Sequence, residues 1–439
     1  MKFTKLSLIT AIAVSAAVAG GDIKPAPVAV EEVSPWTFGG DVKFYYTTTD
    51  DGTVDLFSQE SATGQASAHL DVAYAITPSI AANFGLTAIS SLGLEDHLVS
   101  STWIFGYDEV SGTVHGMNEM WIDTLNITGK IFEDKTSFIL GRTQLDTPLA
   151  FTETWSVAFN TFDAAVVTDN HIDHLTLVGG YIYDGNGNAD YVDTMKGGFE
   201  GAYFPVTDLN GNLIEKGAWT VAAIGTFDFI TAQAWYYDVI DAAAAVWLQA
   251  DGTYEGFGYG AQYALIDGDD LGLPESSAFA VKLAYTYEAF SFWGAYSAVD
   301  EDGVIPVANT ATMVGQLTPT YFNGLGNQSK LYTEAWWNYG FVSQAGAESF
   351  AVAAAYKVND NINLTAQFTS VSDANILGGL ADTTTDMDEL TLLAETSFYG
   401  LDLALAYINA SYSPRSNSGT NVDVDVDTDT VQAYLTYKF

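Results

Sequence analysis

Cysteine is absent from all 439 residues. A chain of this length without disulfides needs either a large core or a membrane to hold it. Bases are scarce as well: 14 Lys and Arg stand against 55 Asp and Glu, for a net charge of −41. Such a surface repels phosphate, which excludes nucleic acid as a partner. Beyond the N-terminus no stretch holds 18 consecutive apolar residues, so no membrane helix is predicted. Catalytic signatures are missing too, with no G-x-S-x-G, H-E-x-x-H or Walker pattern. Acidity on this scale often accompanies disorder. Here 25 Tyr, 25 Phe and 10 Trp speak against it.

What is present is an alternation. In the last eleven residues Val431, Ala433, Leu435, Tyr437 and Phe439 are apolar, and Thr430, Gln432, Tyr434, Thr436 and Lys438 fill the places between. A strand sends successive side chains to opposite faces, so this strand has one greasy and one polar side. The same pattern recurs from Trp36 onward in segments of a length that suits a tilted strand crossing a bilayer. The predicted strands are 37–48, 65–76, 79–90, 119–131, 135–143, 161–168, 173–184, 218–227, 230–239, 243–250, 255–266, 278–288, 290–299, 347–357, 362–372, 388–398, 400–412 and 428–439. That is eighteen, an even number, as single-chain bacterial barrels require; sixteen is the other even count the pattern admits. Short turns at Thr77-Pro78, Phe132–Asp134, Asp228-Phe229, Asp251-Gly252, Val358–Asp360 and Tyr399 alternate with long polar loops, among them 91–118, 144–160, 185–217 and 300–346. The predicted fold is therefore all-β, a transmembrane antiparallel barrel with short turns on one rim and long loops on the other.

The N-terminus adds a compartment. Leu6 to Val18 is an unbroken apolar or small run, and Ala17-Val18-Ala19 supplies a cleavage site before Gly20. Residues 1–19 read as a secretory signal peptide and 20–35, with Pro25, Pro27 and Pro35, as a periplasmic lead-in. Residues 36–439 form the barrel, placed in the outer membrane of a Gram-negative cell. Within the strands, Ala66, Leu70, Val72, Tyr74 and Ile76 point to lipid, and Gln65, Ser67, His69 and Asp71 point to the lumen. Polar inward positions predict a wet interior, and eighteen strands enclose one wide enough for a channel.

The segment Gly141-Arg-Thr-Gln-Leu-Asp-Thr-Pro148, followed by Phe159-Asn-Thr-Phe-Asp163 and Ile172-Asp-His-Leu-Thr-Leu-Val-Gly-Gly180, resembles two related porin groups. These are the OprD-type carboxylate channels and the major outer-membrane porins of Campylobacterota. The Tyr437-Lys-Phe439 end is similar as well. The resemblance implies an eighteen-stranded, trimeric porin with its third outer loop in the pore, and a last strand read by the barrel-assembly machinery. On that footing Asp146 and Glu153 are the candidate acidic constriction and Arg142 the candidate basic wall. Carboxylates in a narrow pore attract cations. The carboxylate channels carry a basic track, for which 14 bases are too few, so a general cation-preferring diffusion pore is the expected function.

Other patterns stay open. Asp184, Asn186, Asn188 and Asp190 alternate like the opening of a calcium loop, and Asp208–Asn212 repeats the idea; neither has the closing Glu. Plain turn chemistry explains the same residues. Asp423, Asp425, Asp427 and Asp429 form either a solvated rim or a divalent-cation site. Lys330–Phe341, rich in aromatics, predicts a plug, a subunit contact or an interfacial belt. Two other functions remain: a scaffold barrel binding lipopolysaccharide or partners, which a lumen filled by loops 144–160 and 300–346 favours, and an outer-membrane hydrolase built on His69.

Overall fold

In the computed structural model the described residues are 34–104, 106–108, 113–115, 118–186, 206–207, 213–214, 217–309, 328–375, 383–416 and 425–439. The signal peptide and most of the lead-in lie outside them. Eighteen strands form the wall: β1 Trp36–Asp50, β2 Ala62–Thr77, β3 Ile80–Ser90, β4 Asn118–Ile131, β5 Thr136–Thr143, β6 Thr161–Ile172, β7 Leu175–Asn186, β8 Ala218–Phe227, β9 Ile230–Val239, β10 Ala243–Tyr254, β11 Phe257–Asp267, β12 Ser276–Tyr287, β13 Phe290–Val299, β14 Glu348–Lys357, β15 Ile362–Ala374, β16 Thr383–Phe398, β17 Leu401–Ser416 and β18 Val426–Lys438. Each pairs antiparallel with its sequence neighbours, and β1 also pairs with β18, so the sheet closes on itself without an edge. Closure matters because hydrocarbon offers no partner for a free peptide group. The seam is completed at Gly40, which donates to the Phe439 carbonyl at 3.1 Å and accepts from the Phe439 N–H at 3.0 Å. A side chain at position 40 would run into the Phe439 ring and the His69 carbonyl, so only glycine fits there.

The alternation has the predicted consequence. On β12, Leu283 is 72% exposed while its neighbour Lys282 is 8% exposed, and Phe279 and Val281 face outward beside inward Ala278 and Ala280. Aromatic rings gather outside the short-turn rim, among them Trp36, Phe132, Phe229, Phe257, Tyr287 and Phe398. The turns themselves are tight. Glu255-Gly256 and Tyr399-Gly400 each have two left-handed residues, as a two-residue hairpin with the twist of its strands requires. One predicted turn is displaced: the chain reverses at Glu255-Gly256, not Asp251-Gly252. Asp251 stays in the strand because its carboxylate faces inward and takes hydrogen bonds there.

The interior departs from expectation. It is not simply wet: Trp235, Tyr237, Trp247 and Ile266 point inward and pack on Leu145, Leu149, Leu331 and Phe341 from two outer connections. Apolar inward positions are tolerated there because folded-in loops, not water, meet them.

Candidate constriction site

Three outer connections enter the lumen, and inward side chains of the wall hold each of them. Segment 91–104 is fastened by Gln65, whose amide donates to the Ile104 carbonyl (3.0 Å) and accepts from the Ile104 N–H (2.8 Å). The side-chain amide thus pairs with the loop as a neighbouring strand would. Gln262 on β11 repeats the device, donating to the Lys330 carbonyl (2.7 Å) and accepting from the Tyr332 N–H (3.2 Å). Gln367 donates to the Glu334 carbonyl (2.8 Å). Loop 144–160 is held by Ser67, which donates to the Val157 carbonyl (2.6 Å), and by Asn309, which bonds both the N–H and the carbonyl of Phe151. Tyr332 reaches the Asp251 carboxylate (2.6 Å) over Gly260, where any side chain would collide with its hydroxyl.

The strongest anchor is Glu389 on β16. Its carboxylate accepts the backbone N–H groups of Trp336 (2.8 Å), Trp337 (3.1 Å) and Asn338 (2.8 Å), and the Asn338 amide (2.8 Å). It is 1% exposed. A buried carboxylate is stable there because several donors replace its water shell. Nothing in the alternation of β16 singled Glu389 out, since its partners lie about fifty residues upstream.

The predicted residues are placed as follows. Asp146 forms an ion pair with Lys330, joining loop 144–160 to segment 328–347. Glu153 is buried; its carboxylate accepts from the Trp155 indole (3.0 Å) and the Asn309 amide (2.8 Å). Arg142 does not stand across the lumen as a free basic wall. It lies on β5 and grips Asp163 on β6 with two bonds, at 2.9 and 2.8 Å, because the register sets those residues opposite each other. Gln65 binds a loop rather than lining open water. Asp71 remains half exposed beside His69. Asp184 is a wall residue on β7, opposite Asp163, and accepts from the Gly185 N–H; Asn188 and Asp190, the Asn186 side chain, and Asp208–Asn212 lie outside the described residues. Asp425, Asp427 and Asp429 project outward at the long-loop rim, where Asp429 accepts from Tyr407 and Asn409; Asp423 lies outside the described residues.

His69 is surrounded by three carboxylates: Asp123 at 3.2 Å, Asp71 at 3.5 Å and Asp41 at 3.7 Å. Asp123 faces inward because a bulge opposite Gly85 and Leu86 shifts the register of β4 by one residue. Thr87 donates to the other Asp123 oxygen (2.7 Å), so the carboxylate lies between hydroxyl and imidazole. That order is not the one a nucleophile needs, where the base must itself contact the hydroxyl.

The loops meet at a group of indoles. Trp103, Trp155 and Trp337 come from three different connections, with ring centroids 5.1 Å (103 to 155), 5.5 Å (103 to 337) and 6.2 Å (155 to 337) apart. Tyr45 on β1 packs edge-on to Trp103 at 5.5 Å, and Tyr339 lies 5.8 Å from Trp155. In the same segment as Trp337, burial lifts the Glu334 carboxyl well above the usual carboxylate range, and the charge of Glu153 adds to the effect.

A closed antiparallel barrel of eighteen strands, with an apolar outer face and outer loops folded inside, defines the fold as a transmembrane β-barrel. No family model matches the sequence, and no curated protein does. Solved structures with this fold are outer-membrane porins of the OprD/Occ family. Acinetobacter baumannii OccAB3 is 10% identical with a TM-score of 0.66, covering 92% of this chain and 99% of its own. Pseudomonas aeruginosa OpdK, crystallised with vanillate, is 14% identical with a TM-score of 0.66, covering 92% and 98%. Pseudomonas aeruginosa OccK8 (OprE) is 14% identical with a TM-score of 0.65, over the same shares. At these identities the likeness establishes the fold.

Proposed function

We propose that this chain is a passive diffusion channel of the outer membrane, passing small hydrophilic solutes and ions down their gradients with a preference for cations. One observation carries the reading: a closed cylinder with an apolar outside whose lumen is narrowed by the loops that end at Trp103, Trp155 and Trp337. The cation preference follows from the bases. Four described bases lie beside the loops inside the lumen: Lys43, Arg142, Lys282 and Lys330. Each stands by a carboxylate: Asp41, Asp163, Asp251 and Asp146 in turn. They form no row of free bases to draw anions, whereas Asp41, Asp71 and Asp123 crowd a single imidazole, His69. Export by the signal peptide, a homotrimer, contact with lipopolysaccharide and delivery by the barrel-assembly machinery through β18 belong to the same proposal.

Planar-bilayer recording tests it. Purified chain should give ohmic openings with a reversal potential on the cation side in a salt gradient; closed bilayers or anion selectivity would remove the claim. The packing of loops 144–160 and 328–347 against the wall favours one second reading, a scaffold barrel whose lumen is a plugged core. That reading expects no conductance until those loops are cut away.

A further inference from the structure

Rings in this lumen take ammonium groups. Lys330 sits over Phe151 at 4.8 Å, Lys282 over Trp293 at 5.0 Å and Tyr332 at 5.6 Å, and Lys43 over Phe159 at 5.9 Å. In each case the chain's own lysine supplies the cation and the ring face the negative potential. Trp103, Trp155 and Trp337 differ. They are the best of all side chains for such contacts, they are only half-buried, and among the described residues no lysine or arginine lies over them. Their setting strengthens the pull. The Trp155 N–H donates to the Glu153 carboxylate, which pushes electron density into that indole. Trp103 and Trp155 meet at 82°, Trp155 and Trp337 at 88°, and Trp103 and Trp337 at 55°, so the three ring planes face different directions.

We propose that the Trp103, Trp155 and Trp337 surface is a binding site for organic ammonium cations, in which alkyl groups around the nitrogen lie on indole faces as the solute crosses the constriction. The inference rests on the channel reading for its physiological sense, but the site can be tested without conduction. Three features exclude the alternatives. A carboxylate solute would meet the Glu153 carboxylate beside Trp155, with no described lysine or arginine over the rings to offset it. A small inorganic cation would give up its hydration for rings that offer no oxygen. A cation whose charge is spread over alkyl groups sheds little water and gains the ring faces.

The experiment uses the purified full chain and tetraethylammonium as probe. In bilayers the reversal potential in potassium chloride is read first, so that cation preference is judged by itself. Tetraethylammonium added on the long-loop side should then reduce the potassium current. Trp155→Leu and Trp337→Leu should each raise the half-blocking concentration about 5-fold, and the Phe replacements should keep most of the block. In parallel, tetraethylammonium should produce a saturable change in tryptophan fluorescence of detergent-held protein, lost in the Leu variants. Should a Leu variant fail to fold, Glu153→Gln, which keeps an acceptor for Trp155 but removes the charge, should weaken the block about 2-fold. Equal block by benzoate, unchanged block in the Leu variants, or openings with no block and no fluorescence change would overturn the site while leaving the channel standing. Closed bilayers with a normal fluorescence titration would sink the channel and keep the site.

Discussion

At the scale of single residues, the charged side chains of the lumen act mostly as fasteners. Glu389 is the sharpest case, because one carboxylate serves three successive backbone N–H groups. Glu389→Leu leaves those groups buried without an acceptor, and each orphan costs about 1–3 kcal/mol. The turn at Trp336–Asn338 should then leave the wall, giving a larger open-channel current and new protease cleavage within 328–347; an unchanged current and digestion pattern would refute this role. Asp146 is the other informative residue. It neutralises Lys330 in a half-exposed pair, and such pairs are worth about 0.2–1 kcal/mol. Asp146→Asn should therefore lower the cation-to-anion permeability ratio by about 2–5-fold, read from the reversal potential. Glu153 has less leverage on selectivity than its position suggested, since its oxygens are already engaged.

Elements show how segment 328–347 stays inside the cylinder. Segment 328–347 has little regular structure beyond the short helical turn Tyr339–Ser343, so its backbone groups need outside partners. Gln262, Gln367 and Glu389 supply them from three strands. Within the segment Glu334 makes docking depend on pH. A carboxyl whose value is raised by burial favours the docked loop when protonated. That contribution is complete below the free carboxylate value and is lost as pH rises through the raised one. Loop release, seen as more frequent openings to a larger conductance, should increase with pH over that window, and Glu334→Gln should flatten the response. A wild-type channel with no such pH trend would remove Glu334 from this role.

For the whole molecule the closing seam decides stability. β1 and β18 pair from Asp41 to Asp50 against Lys438 to Asp429, and Phe439 provides two backbone bonds to Gly40. Deleting Phe439 removes both, at about 1 kcal/mol each. The folded band on a semi-native gel should convert to the unfolded one at a visibly lower temperature, and an unshifted transition would place the seam's strength elsewhere. The cylinder also sets what the loops can do. Trp103, Trp155 and Trp337 are far apart in sequence and meet only because the wall holds their connections over one lumen.

The wall was legible in the amino-acid order because its rule is local. Side chains in a strand alternate, lipid demands apolar residues on one side only, and so Leu70, Leu283 and Phe368 declare their face without reference to anything distant. The rule failed where the register slips by one residue: the bulge at Asp123 moved an acid onto the His69 face, which alternation alone leaves ambiguous. The contents of the lumen were set by tertiary structure. Whether Gln65 meets water or a peptide group, whether Arg142 is free or held by Asp163, and whether Trp155 faces solvent or two other indoles depend on segments up to about two hundred residues away. No periodicity encodes such meetings, because they are fixed by closure of the sheet and by how far each loop can reach once it is closed.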